Sequence, residues 1–256
     1  MIVAMCCNEN WYQYLVVNIY SLLKNTKNVE KIYLLIETEN VEDVKYLSEI
    51  KEKFNIKIEL INFNDIMDKY IKKDCPNTNT IFSNFCFGRL MLADVIKEDK
   101  VLYLDTDTIV RKDISNLWNY DINNYYVAGV KDYGIIRDGT YERLNIKDKY
   151  INSGVVLFNL KLIREDNIIE KWFHIINTEK MKYPDQDAMN VVCTHRELYL
   201  SSMYNVIWTV TVQVENPSLI KIYHYAGKKT PWVADKHYAE EWYDSYESFY
   251  QEIVKK

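Results

Sequence analysis

Between residues 2 and 61 the hydrophobic pattern alternates between strand and helix, and this constrains the fold more than any other feature of the chain. Residues 2–7 (Ile-Val-Ala-Met-Cys-Cys) are an apolar run of strand length. Over 11–25, Leu15, Val16, Ile19, Leu22 and Leu23 recur at helical spacing and give one apolar face. Residues 31–36 read as a second strand and 41–54 as a helix, while 56–61 (Ile-Lys-Ile-Glu-Leu-Ile) alternates as a strand does. Such a β-α-β-α-β order predicts an α/β fold, with a mostly parallel central sheet and helices on both faces. The pattern continues with a helix at 83–97, a strand running into Asp105, strands at 125–130 and 154–159, helices at 161–177 and 185–194, a short strand at 220–223 and a helical final eighteen residues. At 256 residues the chain suffices for one such domain and does not require two.

Residues 101–107 (Val-Leu-Tyr-Leu-Asp-Thr-Asp) end a buried strand in two carboxylates. Strand residues i and i+2 point to one side, so Asp105 and Asp107 can aim at one point beyond the strand. Two like charges that close need a compensating cation, and a divalent metal with oxygen ligands is the natural one. The carboxyl ends of strands are also where open α/β sheets hold ligands.

Charge and cysteine use narrow the classes. A net charge of −5 argues against a general nucleic-acid binder, which needs a basic surface. An anionic substrate must then be held by a metal or a few basic side chains. The five cysteines (Cys6, Cys7, Cys75, Cys86, Cys193) show no CxxC spacing and read as buried thiols of a reducing compartment. Residues 1–7 enter an apolar run without a basic leader and read as strand one, not a signal peptide. The expected setting is cytoplasmic, at most peripheral to the inner membrane face. Trp242, Tyr246, Phe249 and Ile253 form a stripe expected to pack inward.

Other segments carry polar groups where ligands bind. Asn152, Ser153 and Gly154 form a polar turn before an apolar run, able to hydrogen-bond a ligand or to serve as a plain turn. Asp185-Gln186-Asp187 opens a helix with more acid than a cap needs, which suits a hydroxyl-rich ligand. His224 ends a short strand before Gly227, Lys228 and Lys229 and could complete a metal sphere, shifting the ion from Mg2+ towards Mn2+. Arg89, in an otherwise apolar helix, could reach a diphosphate or simply snorkel. Trp11, beyond strand one, could stack on a nucleobase or anchor the helix start. The polar stretches 73–80 and 132–150 are candidate loops over a substrate.

In their order along residues 2–232, the strand-one loop, the Arg-bearing helix, LYLDTD, NSGVVLFNL, DQDAMN and HYAGKKTPW resemble the glycosyltransferases of family 8, which include glycogenin and bacterial lipopolysaccharide galactosyl- and glucosyltransferases. The resemblance implies a single GT-A domain over 1–256. Residues 1–107 would form a Rossmann-like nucleotide-binding half, 108–235 a sugar and acceptor half, and 236–256 a C-terminal helix. It implies transfer of a hexose from a UDP-sugar, with retention, to a glycan, glycolipid or glycoprotein. Carried over by position, Asp105, Asp107 and His224 would bind Mn2+, with Mg2+ as the alternative. Cys7, Asn8 and Trp11 would hold uridine, Trp11 stacking on uracil, and Thr106 would belong to the same donor site. Arg89 would contact the donor. Asn152, Ser153, Asp185 and Gln186 would surround the sugar, joined by Asp132, and Gly227, Lys228 and Lys229 would meet the diphosphate. Asn8 stands where the family has Asp, and Thr230 where it has Lys before Pro-Trp. Gln186 near the anomeric carbon favours front-face attack over a covalent intermediate on Asp185.

Two other readings differ in class. Residues 104–108 (Leu-Asp-Thr-Asp-Thr) also resemble the first motif of haloacid-dehalogenase-type Mg2+ phosphatases. Those need later acids at a strand end, whereas Glu165-Asp166 and Glu240-Glu241 fall in predicted helices. The third reading is a catalytically weak UDP- or sugar-binding relative, resting on Asn8 and Thr230.

Overall fold

The structure is a computed structural model, and it describes all residues except 79, 136–137, 147–148, 208–213, 215, 228–229, 232–238 and 256. In chain order the elements are β1 (Ile2–Cys6), α1 (Tyr12–Asn25), β2 (Lys31–Ile36), α2 (Leu47–Phe54), β3 (Lys57–Asn62), α3 (Phe63–Tyr70), α4 (Gly88–Val95), β4 (Lys100–Leu104), β5 (Thr108–Val110), β6 (Val127–Lys131), α5 (Thr140–Arg143), β7 (Ile151–Asn159), α6 (Leu160–Glu165), α7 (Ile168–Thr178), α8 (Pro184–Cys193), β8 (Glu197–Tyr199), β9 (Val206–Ile207), β10 (Ile222–His224) and α9 (Glu240–Phe249). Among the described residues seven strands form the main sheet in the order β3-β2-β1-β4-β7-β6-β8. Only β7 runs against its neighbours β4 and β6. The smaller sheet has the order β5-β10-β9.

The expected three layers are present, and the strand period explains them. Val3, Met5, Leu102 and Leu104 pack on one face with α1, α2 and α9. Ala4, Cys6, Val101 and Tyr103 pack on the other with α4, α7 and α8. Of the predicted C-terminal stripe, Trp242, Phe249 and Ile253 are buried, while Tyr246 stays exposed. All five cysteines are free thiols. Among the described residues no helix is long and apolar enough to cross a membrane.

Several boundaries differ from the sequence reading. The helix expected at 41–54 starts only at Leu47, because Tyr46 is left-handed (φ 70°). That expected at 161–177 is two helices, broken at Asn167 (φ 52°), a residue type that tolerates this conformation. The third strand is followed at once by α3, a helix the sequence reading did not place although Phe63, Ile66, Met67 and Tyr70 recur at helical spacing.

The largest change concerns 152–154. The segment is not a turn before a strand but the start of β7. Because β7 is antiparallel to β4, its first residues lie beside the carboxyl end of β4, with Leu104 opposite Val155. That register brings Asn152 and Ser153 to the acidic motif.

Candidate functional site

The acidic pair is aligned by a turn and not by the strand pleat. β4 ends at Leu104, and residues 105–107 turn into β5. The Thr108 amide donates to the Asp105 carbonyl at 3.1 Å, and the Thr108 hydroxyl donates to it at 2.8 Å. Asn18, which sits within the apolar stripe of α1, donates to that carbonyl and to Thr108 Oγ1, each at 2.8 Å.

His224 reaches the pair through the small sheet, where it lies opposite Thr108 and the Tyr225 amide donates to the Asp107 carbonyl at 2.9 Å. Its Nε2 is 3.2 Å from Asp107 Oδ1 and 3.7 Å from Asp105 Oδ2. One ligand atom from each of Asp105, Asp107 and His224 lies within 4.8 Å of the others, a cluster compatible with a metal ion. Burial raises the Asp105 carboxyl; Arg89 opposes this, Asp107 adds to it, and the net shift is upward. Burial also pushes Asp107 up, but His224 outweighs it and holds that carboxyl below the usual range. The His224 imidazole, though buried, is raised by Asp107.

Arg89, buried on α4, organises the wall beside the cluster. Its Nη2 donates to Asp105 Oδ1 at 2.8 Å and its Nη1 to Asp105 Oδ2 at 3.2 Å. Nη1 also donates to the Ser153 carbonyl at 2.6 Å and hydroxyl at 2.8 Å, and Nε stands 3.2 Å from Asp185 Oδ2. The guanidinium lies over the Tyr103 ring, whose hydroxyl donates to Asp105. Arg89 lines the cleft, but its donors are engaged with protein groups.

The sugar-site candidates form a second cluster. Gln186, in the first turn of α8, is held at both ends: its Oε1 accepts from the Ser153 amide at 2.8 Å, and its Nε2 donates to Asp132 Oδ2 at 3.0 Å and Tyr150 at 3.2 Å. The Ser153 hydroxyl donates to Asp185 at 3.1 Å. The Tyr150 hydroxyl donates to the fully buried Asp187 at 2.7 Å, which is also paired with Arg143 of α5 at 2.9 Å.

Both clusters open on a cleft of about 850 Å3, whose lining includes Trp11, Asp107, Asn152, Gln186, His224 and Gly227. An adjoining pocket of about 210 Å3 is lined by Cys7, Asn8, Trp11, Phe82, Phe85 and Thr106. There Asn8 Oδ1 is buried without a hydrogen-bond partner. Of the two candidate loops, 132–150 contributes Asp132, Gly134 and Ile135 to the cleft, whereas among the described residues none of 73–80 lines it; Ile81, Phe82 and Ser83, which follow that stretch, do. Lys228 and Lys229 lie outside the described residues.

Glu165, Glu240 and Glu241 lie in α6 and α9, and no second carboxylate set joins the cluster among the described residues. The sequence reading missed Asn18, Tyr103, Tyr150 and Asn205. Only Asn18, a polar residue in an apolar stripe, left a readable signal.

The profile described as glycosyl transferase family 8 matches residues 2–236. The chain belongs to glycosyltransferase family 8. This family 8 chain is 26% identical over 274 residues to general stress protein A of Bacillus subtilis (strain 168), covering 97% of this chain and 93% of that protein. It is 27% identical over 248 residues to lipopolysaccharide 1,2-glucosyltransferase of Escherichia coli (strain K12), covering 90% and 72%. In structure it is similar to galactosyltransferase LgtC in complex with donor and acceptor sugar analogues, with a TM-score of 0.79 and 22% identity over 97% of this chain and 96% of that one. The fold of this family 8 member is that of the GT-A glycosyltransferases.

Proposed function

We propose that the chain is a retaining hexosyltransferase that uses a UDP-sugar and Mn2+, with Mg2+ as the alternative, to transfer glucose or galactose to a glycan, glycolipid or glycoprotein. The observation that carries this reading is the convergence of Asp105, Asp107 and His224 at a cleft that adjoins an aromatic pocket with an unpaired amide oxygen. An oxygen–oxygen–nitrogen donor set fits Mn2+ better than Mg2+, which favours oxygen alone. When bound, a divalent ion there supplies a Lewis acid against the charge on the departing diphosphate.

In this reading the Asn8 amide reads one uracil edge. Its Oδ1 accepts from the N3–H, and its Nδ2 donates to a neighbouring carbonyl. Such pairing gives the orphaned oxygen its partner, which is the main support for a uracil base. Trp11 supplies a stacking face. Asn152, Ser153, Asp185 and Gln186 would orient the hexose hydroxyls, with Asp132 behind them.

Two features support front-face attack within a tight ion pair. Gln186 is tethered at both amide ends and is a poor nucleophile. Of the two carboxylates carried over to that pocket, Asp185 is paired with Arg89, which lowers its nucleophilicity, and Asp132 Oδ2 accepts from Asn152 and Gln186. Retention through a covalent ester on Asp185 is therefore the weaker route.

Thermal unfolding with UDP, with and without Mn2+, tests the donor site in wild type and Asp107→Ala. A ligand at a hundredfold over its Kd adds about 2.7 kcal/mol, a shift of several degrees for this size. The expected result is a shift that needs both UDP and Mn2+ and is lost in Asp107→Ala. No shift in folded wild type would sink the reading. NMR of the product made from UDP-glucose or UDP-galactose then reports anomeric configuration. Total loss of turnover in Gln186→Ala, with donor binding intact, would overturn a merely supporting role for Gln186.

A further inference from the structure

The amides beneath the cleft form a chain with one direction. Asp132, as a carboxylate, only accepts; its Oδ2 takes N–H groups from Asn152 Nδ2 and Gln186 Nε2, each at 3.0 Å. Asn152 must then turn its Oδ1 the other way, where the Gly154 amide donates to it at 3.0 Å. The same oxygen accepts from Asn205 Nδ2 at 2.9 Å. Asn205 is left presenting its Oδ1 to His224 Nδ1 at 2.9 Å. An amide oxygen cannot donate, so Nδ1 carries the hydrogen. The lone pair of the neutral ring lies on Nε2, the nitrogen 3.2 Å from Asp107. Asn205 and His224 are both almost fully buried, at 1% and 2% exposure.

We propose that Asn205 is a positioning residue of the metal centre, which transmits the fixed polarity of Asp132 and Asn152 to His224 and so sets its tautomer and ring angle. The proposal rests on the metal and donor reading above and extends it. One amide joins the imidazole of the metal cluster to the residues around the donor's sugar. Such a partner on the far nitrogen of a metal-binding histidine orients the ring, and its loss commonly costs about 10- to 100-fold in metal affinity.

Two variants separate the two ends of the amide. Asn205→Leu removes the acceptor at His224 and the donor to Asn152. Asn205→Asp keeps the acceptor but sets a carboxylate against Asn152 Oδ1. Mn2+ binding is followed by electron paramagnetic resonance in the presence of UDP. The histidine tautomer is read from ring-nitrogen NMR of the metal-free protein at alkaline pH, where the ring is neutral. The expected result is a hydrogen on Nδ1 of His224 in wild type and in Asn205→Asp, with mixed tautomers in Asn205→Leu. Mn2+ affinity falls about 10- to 100-fold in Asn205→Leu and stays within about threefold in Asn205→Asp. Asn205→Asp nevertheless loses donor-sugar turnover, because the Asn152 side is disturbed.

Unchanged Mn2+ affinity and tautomer in folded Asn205→Leu would overturn the proposal. If Asn205→Leu does not fold, Asn205→Asp decides alone: a large loss of Mn2+ affinity with turnover spared is the overturning pattern. Failure of wild type to bind Mn2+ would instead strike the metal reading, and the NMR signature still tests the Asn205 link.

Discussion

A Cβ added to Gly154 would lie 2.1 Å from His224 Cε1 and 2.8 Å from Asp105 Oδ2. The imidazole is seated against bare backbone at the start of β7, and no side chain fits between them. The strand that carries the sugar-site candidates thus also forms the floor of the metal cluster.

Gly154→Ala therefore displaces His224. Overpacking of this kind costs about 1–3 kcal/mol in stability, and a shift of order 1 Å in a reacting constellation costs about a hundredfold in rate. The expected outcome is a folded protein with a slightly lower Tm and about a hundredfold lower Mn2+-dependent turnover. Wild-type turnover in this variant would show that the ring does not need that seat.

Arg89 offsets the charge of Asp105 and Asp185 in a buried wall. Arg89→Met leaves both carboxylates uncompensated, which costs about 3–5 kcal/mol and lowers Tm on the order of 10 °C. Arg89→Lys keeps the charge but not the fork, so it retains most stability while turnover falls. Circular dichroism melts paired with activity assays check both. Equal stability of Arg89→Met and wild type would remove the structural role assigned to the pair.

The orphaned oxygen of Asn8 makes a ligand-specific prediction. One hydrogen bond to uracil is worth about 1–1.5 kcal/mol, so Asn8→Ala raises the Kd for UDP about tenfold. The free protein makes no use of that oxygen, and its Tm does not fall. Asn8→Asp keeps the acceptor and retains more affinity than Asn8→Ala. Calorimetric titration with UDP measures all three; equal affinities would place the base elsewhere.

Glu252, in the helical turn Tyr250–Val254 after α9, is paired with Lys24 of α1 at 3.0 Å and Lys53 of α2 at 2.8 Å. These hydrogen-bonded lysines, Lys53 foremost, hold its carboxyl down at about 2. A depressed carboxyl stabilises the fold above its unfolded pKa and loses that contribution as pH falls through the folded one. The pairs are partly exposed, so Glu252→Gln costs at most about 1 kcal/mol at pH 7. The Tm difference between variant and wild type should persist down to about pH 4 and shrink towards pH 2. A difference that grows on acidification contradicts this.

Much of the site was legible because strands and helices have different periods. Strand ends and helix starts can be read locally, and LYLDTD, NSGVVLFNL and DQDAMN each stand at one. The i, i+2 argument found Asp105 and Asp107 but assigned their alignment to a pleat, whereas a turn held by Asn18 provides it. Residues 152–154 were misread as a turn because an isolated polar tripeptide with glycine looks the same before a strand as inside its first pleats. Asn205 was invisible, since an asparagine in a loop carries no periodic signal and its role depends on His224, nineteen residues away.

By itself the sequence determined the layered α/β architecture, the family, and the residue types offered for metal, base and sugar. These follow from local hydrophobic period and from ordered motifs, which need no knowledge of distant contacts. Only the tertiary structure decided how they meet. The reversed direction of β7 lays Ser153 and Gly154 beside Asp105, and the antiparallel pairing of β10 with β5 swings His224 onto Asp107. Strand direction and register are set by which buried faces fit together across the whole core, and no window of sequence contains that information.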